Sequence, residues 1–314
     1  MSKESKQCIV EFSDVHMFFM SRFKRPVRAL NGLNLKIHKG SIVGLLGPNG
    51  CGKTTAVSCL TGLLFPQQGA VRLWGRPVEK LTAESKKFKI GVVLEDTRLP
   101  PFLSVHQAIA AASKIRGISA QAQSGELERI IALTGIKSLL NLKINGLSKG
   151  QARRVGVAAA LVGDPPLLIM DEPASGLDIT ARLEFNNLIR NLRDDKRTII
   201  ITSHLLSDVE NTCSHVAIMQ SGKINIFDRT QQLITNDDDD IDIYVHKKFR
   251  EKLNDLNIVF TVSKYPLLVK IDDNDIPVCD LLTTLSQNGI PPRRIEPRSD
   301  LIKYFISITE KEEK

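Results

Sequence analysis

The chain has 314 residues, 25% of them charged and 42% apolar, and a formal net charge of +8, a balance that suits a globular protein of about two domains with one sizeable core. No window reaches the ~18 consecutive apolar residues of a membrane span, and the polar opening MSKESKQC has no signal-peptide pattern. The five cysteines (Cys8, Cys51, Cys59, Cys213 and Cys279) are scattered, with no C-x-x-C pair, which argues against a disulfide framework or a zinc site and fits a reducing compartment.

Residues 9–15 and 33–37 have strand composition. Between them lies a loop whose RFKRPVR run, residues 22–28, is the densest positive cluster, and a smaller cluster lies at 86–89. Such dispersed charge reads first as solvated surface and second as a face for an anionic membrane or partner. Nucleic acid comes third and is not expected as a partner, since no basic-aromatic motif appears. Within the loop Phe18, Phe19 and Phe23 stand out in a chain only 5% aromatic; they serve local packing or stacking on a nucleotide base.

The turn His38-Lys39-Gly40 leads into residues 42–46 (IVGLL), a charge-free run with the pattern of a buried strand. Gly47-Pro48-Asn49-Gly50-Cys51-Gly52-Lys53-Thr54 follows and matches G-x-x-x-x-G-K-[ST] at every fixed position. The glycines let the backbone fold round a phosphate with successive N–H groups pointing inward. A helix over 54–64, opening at Thr54-Thr55, adds the positive end of its dipole. Lys53 has the reach for β- and γ-phosphates, and the Thr54 hydroxyl for Mg²⁺. The stretch predicts a nucleoside triphosphate site, with Cys51 a small residue packed inside the loop.

Further along, residues 71–74 predict a strand closed by Gly75, and residues 90–94 a buried strand ending at Glu95. Residues 104–140 read as helical, and 148–161 as a helix with Ser148 as its N-cap. Residues 167–170 predict a strand running into Asp171-Glu172-Pro173, residues 178–192 a helix, and 198–201 a strand soon followed by His204. Residues 216–219 and 223–227 form a hairpin about Ser221-Gly222. This alternation predicts a mainly parallel α/β core. The acidic run at 236–242 (NDDDDID) reads as linker rather than a metal site, because nothing fixes ligand geometry there. Segments at 241–245, 247–256, 259–262, 267–271, 278–287 and 293–296 then give β-α-β-β-α-β, a small ferredoxin-like domain, with a last helix at 301–308. The expected division is 1–235 and 236–314.

The 167–170 strand ends in two carboxylates at the edge where open α/β sheets bind ligands. Asp171 is suited to holding Mg²⁺ and Glu172 to orienting or deprotonating an attacking water. Upstream stands Leu147-Ser148-Lys149-Gly150-Gln151. With the phosphate loop and this strand, it resembles the signature (usually LSGGQ) of ATP-binding cassette (ABC) ATPases, over about residues 8–235.

That resemblance implies a P-loop ATPase core with an antiparallel β subdomain and a helical subdomain near 96–163. ATP and Mg²⁺ would be its cofactors. It also implies an aromatic near Phe19 against adenine, Glu95 at the Q-loop glutamine position, Asp178 as the D-loop aspartate and His204 as the switch histidine on the γ-phosphate. The family works as a dimer in which Ser148, Lys149, Gly150 and Gln151 of one copy close over ATP on the other copy's phosphate loop. Two positions depart from the pattern: Lys149 replaces a glycine and either adds charge near phosphate or, the favoured reading, projects into solvent, and Glu95 replaces glutamine, so it can still ligate Mg²⁺ but cannot donate an amide hydrogen bond.

The Pro100-Pro101-Phe102 exit from the Q-loop and the C-terminal extension resemble exporter ATPases. They imply a homodimer beneath separate permease subunits at the cytoplasmic face of the membrane, with the C-terminal domain as a dimer support or sensor. The competing expectation is a soluble ABC ATPase acting on ribosomes or chromosomes. Those relatives carry two cassettes or long coiled-coil insertions, which this chain lacks.

Overall fold

The computed structural model describes residues 7–20, 26–83, 90–95, 99–194, 197–234, 241–263, 268–271 and 278–297. The described residues fall into two compact units divided between Thr230 and Gln231. Phe23, the positive runs at 22–25 and 86–89, most of the acidic run and the expected last helix lie outside the described residues.

The first unit opens with β1 (Cys8–Phe19), β2 (Val27–His38), β3 (Ile42–Leu46), α1 (Lys53–Thr61), β4 (Gln68–Leu73), β5 (Arg76–Pro77), α2 (Val78–Ala83) and β6 (Ile90–Val93). Helices α3 (Val105–Ile115), α4 (Gln123–Thr134) and α5 (Lys149–Ala160) follow. It closes with β7 (Leu167–Met170), α6 (Ile179–Asp194), β8 (Thr198–Ser203), α7 (Leu206–Thr212), β9 (His215–Gln220) and β10 (Lys223–Arg229), and α8 (Thr230–Ile234) runs across the division.

Six strands form one sheet in the order β10-β9-β3-β8-β7-β6, parallel except for the antiparallel edge strand β10. Every residue of β3, β7 and β8 is buried, as expected of apolar strands covered on both faces. Register sets Leu46 opposite Ser203 and Ile218, and Val93 opposite Met170. The loops after β3, β6, β7 and β8 therefore leave from one edge, with β3 at the point where strand order reverses. This sheet is the mainly parallel core expected from the sequence.

A second, antiparallel sheet runs β2-β1-β4-β5. Its Phe12, Leu33, Leu35 and Ile37 share one core with Val43 and Leu45 of β3 and Val57 and Leu60 of α1. Here the sequence-based bounds need correction. Both first strands are longer than their apolar runs, and Phe18 and Phe19 belong to β1, paired with Arg28 and Val27, rather than to a loop. Pairing to β2, interrupted by bulges, carries the strand past its polar residues.

Helices α3, α4 and α5 occupy the interval between β6 and β7. Two of them start with capping boxes: Ser104 with Gln107, and Ser148 with Gln151. Among the described residues no helix is long and apolar enough to cross a membrane.

The second unit contains β11 (Ile241–His246), α9 (Arg250–Asp255), β12 (Phe260–Val262), β13 (Leu268–Ile271), α10 (Val278–Gln287) and β14 (Pro292–Pro297). Its antiparallel sheet runs β12-β13-β11-β14. Ile243, Val245, Leu253, Val269, Ile271, Leu281 and Leu285 form its own core. This is the β-α-β-β-α-β order predicted from the sequence, with the strand arrangement of a split βαβ domain.

Candidate active site

The phosphate loop joins β3 to α1. Gly52 is its tightest point, with φ of 110°, and a Cβ there would collide with the Ala29 carbonyl oxygen of β2. Only glycine meets both demands. The loop is braced from two sides: the Gly47 N–H donates to the Ser203 carbonyl (3.3 Å), and the Gly222 N–H in the β9–β10 turn donates to the Cys51 carbonyl (2.9 Å). Gly222 in turn accepts from the Asn31 N–H (3.0 Å). Cys51, Gly52 and Lys53 are buried, Pro48 and Thr55 half-buried, and Asn49, Gly50 and Thr54 exposed.

Lys53, 5% exposed, donates from Nζ to the carbonyls of Gly47 (2.7 Å) and Pro48 (3.0 Å). The same ammonium lies 3.4 Å from Glu172 Oε1. The other carboxylate oxygen of Glu172 is 2.8 Å from His204 Nδ1. Opposite a carboxylate, Nδ1 carries the proton and leaves Nε2 as the free ring nitrogen. Three residues far apart in sequence thus form one polar chain, Lys53–Glu172–His204, at the strand edge.

Glu172 holds a left-handed backbone, with φ of 45°, a conformation that costs a non-glycine residue about 1–3 kcal/mol. Its N–H donates to Thr202 Oγ1 (2.8 Å), and the Thr202 hydroxyl donates to Asp171 Oδ1 (2.5 Å). The Asp171 N–H is held by the Val93 carbonyl (2.8 Å). Thr202 therefore ties the Glu172 backbone and the Asp171 carboxylate to the neighbouring strand. Sequence reasoning passed it over; its one signal is a threonine closing an apolar strand two residues before His204.

Thr54, Asp171 and Glu95 follow β3, β7 and β6 at the same sheet edge. Arg153 of α5 donates to the Leu94 (3.0 Å) and Glu95 (3.1 Å) carbonyls, leaving the exposed Glu95 carboxylate to face solvent. Among the described residues no three His, Cys, Asp or Glu side chains converge on a metal position. A hard cation here would take one or two protein oxygens and the remainder from phosphate and water, which is the Mg²⁺ habit. Lys53, the loop N–H groups and this oxygen set fit a nucleoside triphosphate with Mg²⁺.

Phe19 is 42% exposed. Its partner Val27 lies two residues from Ala29, the neighbour of Gly52, so the aromatic end of β1 borders the phosphate loop.

A second group sits at the start of α5. Ser148 Oγ accepts from the Gln151 N–H (3.2 Å), and Gln151 Oε1 accepts from the Ser148 N–H (3.0 Å). The Ser148 hydroxyl keeps its own proton to donate. A Cβ on Gly150 would lie 2.8 Å from that of Ala181, so α5 and α6 meet closely there. Asp178 caps α6, its Oδ1 accepting from the Ala181 N–H (2.8 Å). Lys149 is exposed, as expected, and its side chain lies across Gly176, whose missing Cβ would overlap the ammonium and whose φ is 64°. Among the described residues no hydrogen bond or ion pair joins residues 148–151 to the phosphate loop, Glu172 or His204.

The ABC transporter family model matches residues 30–175. The chain is 33% identical over 202 residues to the ABC transporter ATP-binding protein NatA of Bacillus subtilis, covering 64% of this chain and 82% of that protein. It is 34% identical over 194 residues to the Nod factor export ATP-binding protein I of Cupriavidus pinatubonensis, covering 62% of this chain and 59% of that protein. Among solved structures, cbiO1 of Clostridium perfringens, part of the ABC transporter complex cbiONQ, superposes with a TM-score of 0.64 at 26% identity, over 72% of this chain and 90% of that one. With the site geometry, these similarities establish that the chain belongs to the ABC transporter ATP-binding proteins, a family of ATPases.

Proposed function

We propose that this chain hydrolyses ATP as one half of a homodimer and thereby drives export through a separate membrane permease at the cytoplasmic face. The observation that carries the reading is the Lys53–Glu172–His204 chain, which sets a cation, a carboxylate and an imidazole side by side at the phosphate loop. The loop N–H groups and Lys53 hold the triphosphate, Thr55 and Cys51 shape the loop, and Phe19 stacks on the base. Thr54, Asp171 and Glu95 would hold Mg²⁺, which would supply charge neutralisation to the triphosphate. Glu172 accepts the proton of a water whose oxygen attacks the γ-phosphorus, while the bridging oxygen leaves with ADP. His204 holds Glu172 through Nδ1–H and turns Nε2 toward the γ-phosphate.

Each copy carries two half-sites. Ser148, with its free hydroxyl proton, Gly150 and Gln151 would close over the nucleotide of the other copy, and Asp178 would lie beside that closure. A helix N-terminus favours the anionic phosphate. Export is favoured over other transport by the similarity to a protein named for Nod factor export. The unit beyond Thr230 would serve as an accessory module of that dimer.

The test uses tagged Glu172→Gln in the native cell with ATP and Mg²⁺, followed by mild solubilisation of membranes. A polytopic membrane protein in stoichiometric amount supports the reading. Recovery only with soluble ribosomal or DNA-associated proteins overturns it.

A further inference from the structure

Four residues beyond His204, Asp208 of α7 is 7% exposed. Its Oδ2 accepts from the Ser203 hydroxyl (3.3 Å), which shares its proton with the Leu205 carbonyl (3.2 Å). Its Oδ1 faces Arg182 Nε at 3.7 Å, and neither of those buried atoms has a hydrogen-bond partner. Ser203 is well placed to pass on a constraint. Its Oγ also accepts from the Leu205 N–H (3.0 Å), and its carbonyl holds Gly47 of the phosphate loop (3.3 Å). His204 is therefore bracketed by two residues that the Ser203 hydroxyl ties together, with Asp208 as their outer anchor.

Arg182 lies on the first turn of α6, its N–H donating to the Asp178 carbonyl (2.9 Å). We propose that Asp208 and Arg182 are positioning residues for the hydrolytic dyad: their ion pair joins the 174–182 segment to the His204 loop and fixes the imidazole against Glu172. The assignment rests on the reading of Glu172 and His204 given above.

The physical basis is the energetic asymmetry of this contact. A buried carboxylate oxygen without a donor is costly, and burial pushes the Asp208 carboxyl up, with the Arg182 charge opposing that rise. An approach of α6 toward α7 by less than an ångström would turn the 3.7 Å separation into a charge-assisted hydrogen bond at about 2.8 Å. The contact thus strengthens in one arrangement of α6 and weakens in another, which is the property a coupling element needs. Since the Asp178 turn and α5 also meet at Gly150 and Gly176, movement of the signature end reaches His204 by this route.

The experiment compares full-length wild type with Asp208→Asn, Arg182→Met and the double variant, together with Arg182→Lys. The primary readout is the His204 imidazole NMR signal, assigned by its loss in His204→Gln. The proposal expects both single variants to shift that signal in the same direction and the double variant to match either one. It expects kcat to fall about tenfold, equivalent to about 1.4 kcal/mol of barrier, with KM and ATP affinity nearly unchanged, and Arg182→Lys to recover part of the loss. An unmoved His204 signal, or independent losses that multiply in the double variant, overturns it. If Glu172→Gln and His204→Gln instead hydrolyse ATP like wild type, the catalytic reading fails, while the NMR comparison still decides whether the pair positions the ring.

Discussion

The phosphate-loop end and the α5 end of the cassette are built on opposite lines. At the first, the central charged groups are buried and paired within the chain: Lys53 by loop carbonyls and Glu172, the Glu172 carboxylate by His204 and Lys53, Asp171 by Thr202. At the second, Ser148 is exposed and, among the described residues, its side chain is bonded only to its own helix, with a hydroxyl proton still to give. One end is a finished receptor and the other an open donor surface. The contrast teaches that chemistry and assembly are assigned to different ends, so substitutions at the two should fail in different ways.

The largest expected effect comes from Glu172→Gln. Removing the base while keeping its shape should lower steady-state turnover by about a thousandfold or more, with nucleotide affinity retained by equilibrium dialysis; comparable turnover would refute the assignment. At the opposite end, Ser148→Asp keeps an N-cap acceptor but aims a negative charge where phosphate is expected. Turnover should fall about a hundredfold, equivalent to about 2.7 kcal/mol, while the melting temperature stays within about 2 °C of wild type. A large drop in melting temperature with normal turnover would reverse the comparison. Glu95→Gln should matter less, changing the ATPase rate by well under about a hundredfold, because an amide still ligates through oxygen.

Two further tests concern the frame. The hydrogen bonds from Arg129, aided by the Gly163 N–H, hold the Glu126 carboxyl below its usual range despite the opposing effect of burial. A depressed carboxyl adds stability above its unfolded pKa, and that stability is lost as pH falls through the folded value. Acid melting curves should therefore lose a component of stability below the unfolded value of 4.5, and Glu126→Gln should remove that component. Smallest is the thiol prediction. Burial pushes Cys59 up to about 11 and Cys213 to about 12, so both should resist a thiol reagent at pH 8 until the protein is unfolded, while exposed Cys279 reacts in the native state. Rapid native labelling of Cys213 would mean that α7 opens readily.

The phosphate loop, Asp171-Glu172 and His204 are legible in the sequence because their chemistry fixes local spacing beside apolar strands. The same holds for the β-α-β-β-α-β order of the second unit and for Ser148 as a cap, where short patterns suffice. Thr202, Arg182 and Asp208 escape because their partners lie 26 to 31 positions away (Thr202 to Asp171, Arg182 to Asp208) and are brought close by strand register and helix packing. Phe18 and Phe19 are read as loop because bulged pairing to β2, and not their own alternation, extends the strand. Lys149 illustrates a further limit: a long side chain on an exposed turn finds its course from a distant residue, here the bare backbone of Gly176.

The brace at Gly222 has a thermodynamic consequence for ligand capture. Its N–H holds the Cys51 carbonyl, its carbonyl holds the Asn31 N–H, and Ser203 holds Gly47, so the phosphate loop is suspended between both sheets before any nucleotide arrives. The entropy of shaping that loop is surrendered during folding, and association then has little left to order. Affinity for a triphosphate should consequently track temperature and salt as it does for a rigid host, without the heat-capacity signature of a segment that folds around its guest.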